Sequence, residues 1–148
     1  MAIGDWSAAI LCLDKDLVEW ESQVLAWARS EGSCKKWRDK AKEVIEQKLR
    51  HALRQVELDT DEDDVLDLIA DVTPLNHSAC FMTLHLLAND KSIGSGDQWS
   101  VKSEMYYRKF QDNWPQALGL ISIDVDESGT LEDGEKYNVG GVTFVRGS

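Results

Sequence analysis

Leu118-Gly-Leu-Ile-Ser-Ile123 leads into Asp124-Val-Asp-Glu-Ser-Gly-Thr-Leu-Glu-Asp-Gly-Glu135, and Lys136-Tyr-Asn-Val-Gly-Gly-Val-Thr-Phe-Val-Arg-Gly147 leads out of it. The entering run alternates, with Leu120 and Ser122 on one side and Ile121, Ile123 and Val125 on the other. The leaving run alternates in the same way, Val142 and Phe144 against Thr143 and Val145. A period of two is the signature of a strand, so the chain is expected to end in a β-hairpin or two-strand flap. A lone hairpin is marginal in water, and such a flap needs a partner.

The segment between the runs is spaced like a calcium loop. Counting Asp124 as position one, the oxygen donors fall at Asp126, Ser128, Thr130, Glu132 and Glu135, with Gly129 at the sharp turn. Calcium takes six to eight hard oxygens, and this spacing offers them. Helices normally flank such a loop. Here the flanks are strand-like, and Asp, Ser and Gly are also what an ordinary acidic turn uses. Calcium is therefore a candidate ligand on spacing alone, and no other cofactor is expected.

The rest of the chain reads as helices. Leu17, Trp20, Val24, Trp27 and Ala28 recur at three- and four-residue steps from Asp16 to a stop at Gly32. From Ser33 to Glu57 the residues Trp37, Ala41, Val44, Ile45, Leu49, Ala52, Leu53 and Val56 form one apolar stripe, and the remaining surface is basic. Asp61–Ala70 reads as a short helix with acids in its first turn, where the helix dipole favours them. Thr73-Pro74 joins a capping hydroxyl to proline at the first helical position. The helix it opens runs to about Asn89 and is apolar almost all round, so it is expected to be the most buried. Ile93-Gly-Ser-Gly-Asp97 is a loop ending in a cap. The last helix runs from Gln98 to Trp114, closed by Pro115 and Gly119.

The expected architecture is thus mainly α: four to five short helices in a bundle (16–117), preceded by an N-terminal arm (1–15) and followed by a β-hairpin assembly flap (118–148). A length of 148 residues suits one domain with an ordinary core. The six tryptophans are expected to anchor contacts.

Charge is divided along the chain. Residues 1–57 carry ten Lys/Arg and ten Asp/Glu, whereas residues 58–148 carry six Lys/Arg and seventeen Asp/Glu, which accounts for the whole net charge of −11. Such a surface disfavours gripping duplex DNA but suits one past which DNA slides. The acidic run Asp59–Asp67 is a natural partner for the basic helix, within the chain or on a neighbouring copy. The three cysteines, Cys12, Cys34 and Cys80, form no close pair in sequence. They read as free thiols of a reducing compartment, and Ala8–Leu13 is too short for a signal core or membrane span.

Catalytic sets are hard to assemble. His77, Cys80 and His85 share one helix, but a fourth metal ligand is not evident, and both histidines read as packed core residues. His51 stands alone. Trp99, Tyr106, Tyr107, Phe110 and Trp114 read as core at their helical spacing. There is no glycine-rich phosphate loop and no nucleophile–base set. The chain is expected not to be an enzyme.

Residues 60–148 resemble the small helical head–tail connector, or neck adaptor, proteins of tailed bacteriophages. The resemblance lies in the order of pieces: an acidic short helix, Ala79-Cys-Phe-Met-Thr-Leu-His-Leu-Leu-Ala88, a Gly/Ser/Asp loop with Trp99, Tyr106-Tyr-Arg-Lys-Phe110, and a closing β element with Asp124-Val-Asp-Glu-Ser-Gly129 and Phe144-Val-Arg-Gly147. It implies a virion protein at the neck, made in the host cytoplasm. Its partners would be its own copies in a ring, the portal protein and other neck and tail proteins. DNA would pass through without specific binding, and no membrane is implied. The family has no catalytic residues to carry over.

Overall fold

Asp71 sets the start of the most buried helix. Its carboxylate accepts from the Thr73 backbone N–H at 2.9 Å and the Thr73 hydroxyl at 2.6 Å. The chain then makes one 3-10 turn, Thr73–Leu75, and enters an α-helix. In this computed structural model, which describes residues 5–29, 31–53, 65–69, 71–94, 96–124, 136–139 and 142–145, the protein is mainly helical. The described α-helices are α1 (Asp14–Trp20), α2 (Val24–Trp27), α3 (Lys35–Leu53), α4 (Asn76–Lys91) and α5 (Gln98–Leu120). Among the described residues, no helix is long and apolar enough to cross a membrane.

The chain divides into two units, and the boundaries fall within α3 and α5. One unit comprises Leu11–Ile45 and Asn76–Trp114. Its centre is α4, which buries Ala79, Cys80, Phe81, Met82, Leu84, Leu87 and Ala88. Two polar side chains go inside with them, and both are satisfied. Ser78 donates to Asn113 Oδ1 at 2.5 Å, and Thr83 donates to the Ala79 carbonyl at 2.7 Å. Tryptophans fasten the periphery. Trp37 donates its indole N–H to Asp90 at 2.7 Å, and Trp27 meets Trp99 edge-on at 4.9 Å.

The other unit comprises Met1–Ile10, Glu46–Leu75 and Pro115–Ser148. Trp6 is buried in it. Its backbone N–H donates to Asp67 at 2.8 Å and its indole N–H to Glu46 at 2.6 Å. The described part of the expected N-terminal arm is therefore packed into its own chain. Leu49, Leu53, Leu66, Ile69, Ala117, Leu118 and Ile121 complete this core.

The helical stretch expected from Asp16 to Gly32 is two short helices with a break at residues 21–23. The second of them ends at Trp27, five residues before Gly32, which takes φ +77°, a left-handed conformation suited to glycine. Pro115 does not close α5, which continues through it to Leu120. Pro115 and Gln111 are both exposed, so the Gln111 carbonyl that loses its intrahelical partner opens onto solvent. Burial of Ala117 and Leu118 favours the extra turn.

The strand-like runs pair differently from a simple hairpin. Three strands, β1 (Ser122–Asp124), β2 (Lys136–Val139) and β3 (Val142–Val145), take the order β1-β3-β2. β1 runs parallel to β3, pairing Ser122 with Thr143 and Asp124 with Val145. β2 runs antiparallel to β3, with Lys136 opposite Val145 and Val139 opposite Val142. The runs flanking the acidic segment are thus parallel neighbours. The antiparallel neighbours are β2 and β3.

The loop before α5 is organised by Asp97. Its carboxylate accepts from Ser100 N at 2.6 Å, Ile93 N at 2.9 Å and Ser92 Oγ at 3.2 Å, while Gly96 takes φ +88°. Backbone hydrogen bonds from Ser100 and Ile93 hold the Asp97 carboxyl below its ordinary pKa. A depressed carboxylate stabilises the fold above its unfolded pKa of about 3.9 and loses that contribution as pH falls through the lower folded value. We expect Asp97→Ala to lower the melting temperature at pH 7, and the gap from the parent to shrink as pH falls below about 4. Thermal melts monitored by circular dichroism at both pH values check this.

Candidate functional site

Of the calcium-loop positions, Asp124 is described, as the last residue of β1. Asp126, Ser128, Thr130, Glu132 and Glu135 lie outside the described residues. The strand register nevertheless constrains the ends of the loop. Asp124 and Lys136 both lie opposite Val145 of the middle strand. They are therefore two strand spacings apart, roughly 10 Å. The first loop position and the residue after the twelfth meet the same end of one small sheet.

The histidines do not form a site with Cys80. His77 is exposed, not packed in the core as the sequence suggested, and meets the edge of Trp20 at 5.3 Å. Cys80 is fully buried. His85 is half-buried, with Nδ1 2.9 Å from both the carbonyl and the hydroxyl oxygen of Ser103. The Ser103 hydroxyl is also 3.2 Å from the His85 carbonyl, so these contacts link α4 to α5. His51 is exposed on α3. Among the described residues, no three His, Cys, Asp or Glu side chains come together to hold a metal ion.

The aromatic set divides. Tyr106 and Phe110 are core, whereas Trp99 and Trp114 are half-buried and Tyr107 is exposed. Tyr106 donates its hydroxyl to Glu21 Oε1 at 3.0 Å, and the same oxygen receives Lys102 at 2.7 Å. Burial, then the bond to Glu21, pushes the Tyr106 phenol upward, so it remains a donor at neutral pH. Lys102 Nζ also lies over the Trp27 ring at 4.7 Å from its centroid. This cluster ties α1, α2 and α5 together.

Described cations of α3 find acids nearby: Lys35 with Asp39, Arg38 with Asp14 and Arg50 with Glu46. Asp59, Asp61, Glu62, Asp63 and Asp64 lie outside the described residues, and Asp67 accepts the Trp6 backbone N–H. A shallow notch of about 210 Å³ is floored by Trp6, Ala9, Leu66 and Ile69, with Asp5 and Asp71 at its rim. Both rim carboxylates already accept local hydrogen bonds, Asp5 from Ser7 and Asp71 from Thr73.

One grouping has no local sequence signal. Cys12 Sγ lies 3.8 Å from Thr83 Oγ1 of α4, one helical turn from Cys80. Arg38 bonds the Cys12 carbonyl at 3.3 Å and Asp14 at 2.9 Å. Residues 12 and 83 are too far apart in sequence for any spacing rule to pair them.

Comparison with family models, curated proteins and solved structures finds no match to this chain.

Proposed function

We propose that this chain is a structural virion protein: a ring-forming head–tail connector, or neck adaptor, that docks on the portal and joins head to tail. The observation carrying the reading is the small sheet at the C-terminal end. Its strands are three or four residues long, and both β1 and β2 are edge strands. A sheet of this size has little independent stability, and its outer edges are templates for a strand from another chain. The charge division adds direction. A neutral first part and a second part carrying the whole net charge of −11 favour head-to-tail contacts between copies. Such contacts close into a ring when the rotation between copies allows it. An acidic lumen would let DNA pass uncaptured, because like charges repel within about 10 Å at moderate salt. The chain would act in the virion neck, beside portal and other neck and tail proteins, after synthesis in the host cytoplasm.

Removing residues 122–148 tests this directly. The cut spares Ile121, the last buried residue of the helical part. The truncated chain is expected to keep its helical circular dichroism, while native mass spectrometry with purified portal shows rings for the full chain and single protomers for the truncated one. A full chain that stays monomeric beside portal would sink the proposal, as would a truncated chain that still forms rings.

A second reading, compatible with the first, makes Asp124–Glu135 a calcium-stiffened turn. It draws on the register that sets both loop ends about two strand spacings, roughly 10 Å, apart, within reach of a shared ion. Titration calorimetry should then show calcium binding that Glu135→Gln weakens at least tenfold. No heat at millimolar calcium, or binding indifferent to that substitution, removes this reading.

A further inference from the structure

We propose that the notch floored by Trp6, Ala9, Leu66 and Ile69 is a binding site for a lysine side chain presented by a protein partner. The notch lies within one unit, where the N-terminal stretch meets the stretch that leads into α4. Trp6, Leu66 and Ile69 are buried, whereas Asp5 and Asp71 at the rim are exposed. The Trp6 indole N–H is spent on Glu46, so its ring serves the notch as apolar surface.

Floor and rim ask for different parts of a ligand. The floor favours a stem without polar atoms, and the rim favours a positive head that stays in contact with water. A lysine side chain has both parts, a row of methylenes and a terminal ammonium. Among the described lining residues there is no Lys, Arg or His to fill this role from within. Size agrees. Pockets for drug-sized ligands run to about 300–1,000 Å³, and at about 210 Å³ the notch is closer to the scale of one side chain.

The hydrogen bonds at the rim choose lysine over arginine. Asp71 Oδ1 accepts both the Thr73 backbone N–H at 2.9 Å and the Thr73 hydroxyl at 2.6 Å. The hydroxyl, then the backbone N–H, hold this carboxyl below its ordinary pKa, so it is charged at neutral pH. Nothing among the described residues donates to Asp71 Oδ2. One open oxygen is a point acceptor. The arginine fork is matched by two parallel oxygens of one carboxylate, whereas the lysine ammonium is a compact charge that can turn a donor to a single one. Asp5 Oδ1 is held in a similar way by the Ser7 backbone N–H at 3.1 Å and the Ser7 hydroxyl at 2.7 Å, which fixes a second negative charge on the same rim.

Nuclear magnetic resonance titration of the isotopically labelled full chain at physiological salt tests the proposal, with Nα-acetyl-lysine methylamide as the probe. The Trp6 indole N–H and the Ile69 methyl signals should shift saturably at millimolar probe. The norleucine counterpart, which has a similar stem and no charge, and the arginine counterpart should each bind at least threefold more weakly. Asp71→Asn keeps an oxygen for Thr73, so helical circular dichroism should be unchanged while lysine binding falls at least threefold. If that variant does not fold, the comparison of the three probes on the parent chain decides. Absence of saturable shifts, norleucine or arginine binding as tightly as lysine, or undiminished binding by a folded Asp71→Asn chain would overturn the proposal. Cadaverine separates the two sources of an alkylammonium: the free diamine should bind no more tightly than the blocked lysine, and tighter binding would overturn the assignment to a protein side chain.

Discussion

A helix with no polar face cannot lie on a surface, and the fold of the Leu11–Ile45 and Asn76–Trp114 unit depends on that constraint. α4 buries nine consecutive or near-consecutive residues from Ser78 to Ala88. Its apolar side chains are removed from water, so neighbouring elements must cover them, and they do so with polar contacts at the margin. The N-terminal stretch is held by Asn76 and Arg38, α3 by the bond from Trp37 to Asp90, and α5 by Asn113 and by the contacts between His85 and Ser103. Burial supplies the driving force, at roughly 25 cal/mol per Å² of apolar surface. The polar contacts choose the register, because leaving a buried donor or acceptor without a partner costs about 1–3 kcal/mol.

The small sheet follows a different logic. Its middle strand is paired on both sides, while each outer strand offers an edge. Three or four residues per strand leave little intrinsic stability for a free-standing element. Among the described residues the protein is mainly helical, and the short strands stand apart from that pattern. The proposed connector role rests on this contrast, with the concentration of negative charge in residues 58–148 as its electrostatic counterpart.

Much of the helical part was legible where local chemistry decides it. Thr73-Pro74 marked the start of α4, and the Asp97 cap stands where its residue type predicts, whereas Gly32 lies five residues beyond the end of α2 at Trp27. Pro115 misled, because the rule that proline ends a helix yields when the residues beyond it have a core to enter, as Ala117 and Leu118 do. Trp6 carried no signal, since its partners Glu46 and Asp67 are distant in sequence. Alternation within a strand-like run carries no information on partner or direction, which pairing alone decides. Spacing within a loop could nominate Asp124 as a ligand. The contact between Cys12 and Thr83 arises from tertiary packing and could not be read that way.

The central claim is that α4 finds its covering elements within one protomer, while β1, β2 and β3 gain theirs from another. Hydrogen exchange of the full chain, measured segment by segment in the dilute single protomer and again under assembling conditions, tests it most directly. The account predicts slow exchange for the amides of Ala79–Ala88 in both states. It predicts fast exchange for Ser122–Asp124, Lys136–Val139 and Val142–Val145 in the single protomer, turning slow on association. Strand amides as protected as those of α4 in a protomer with no companion would contradict it.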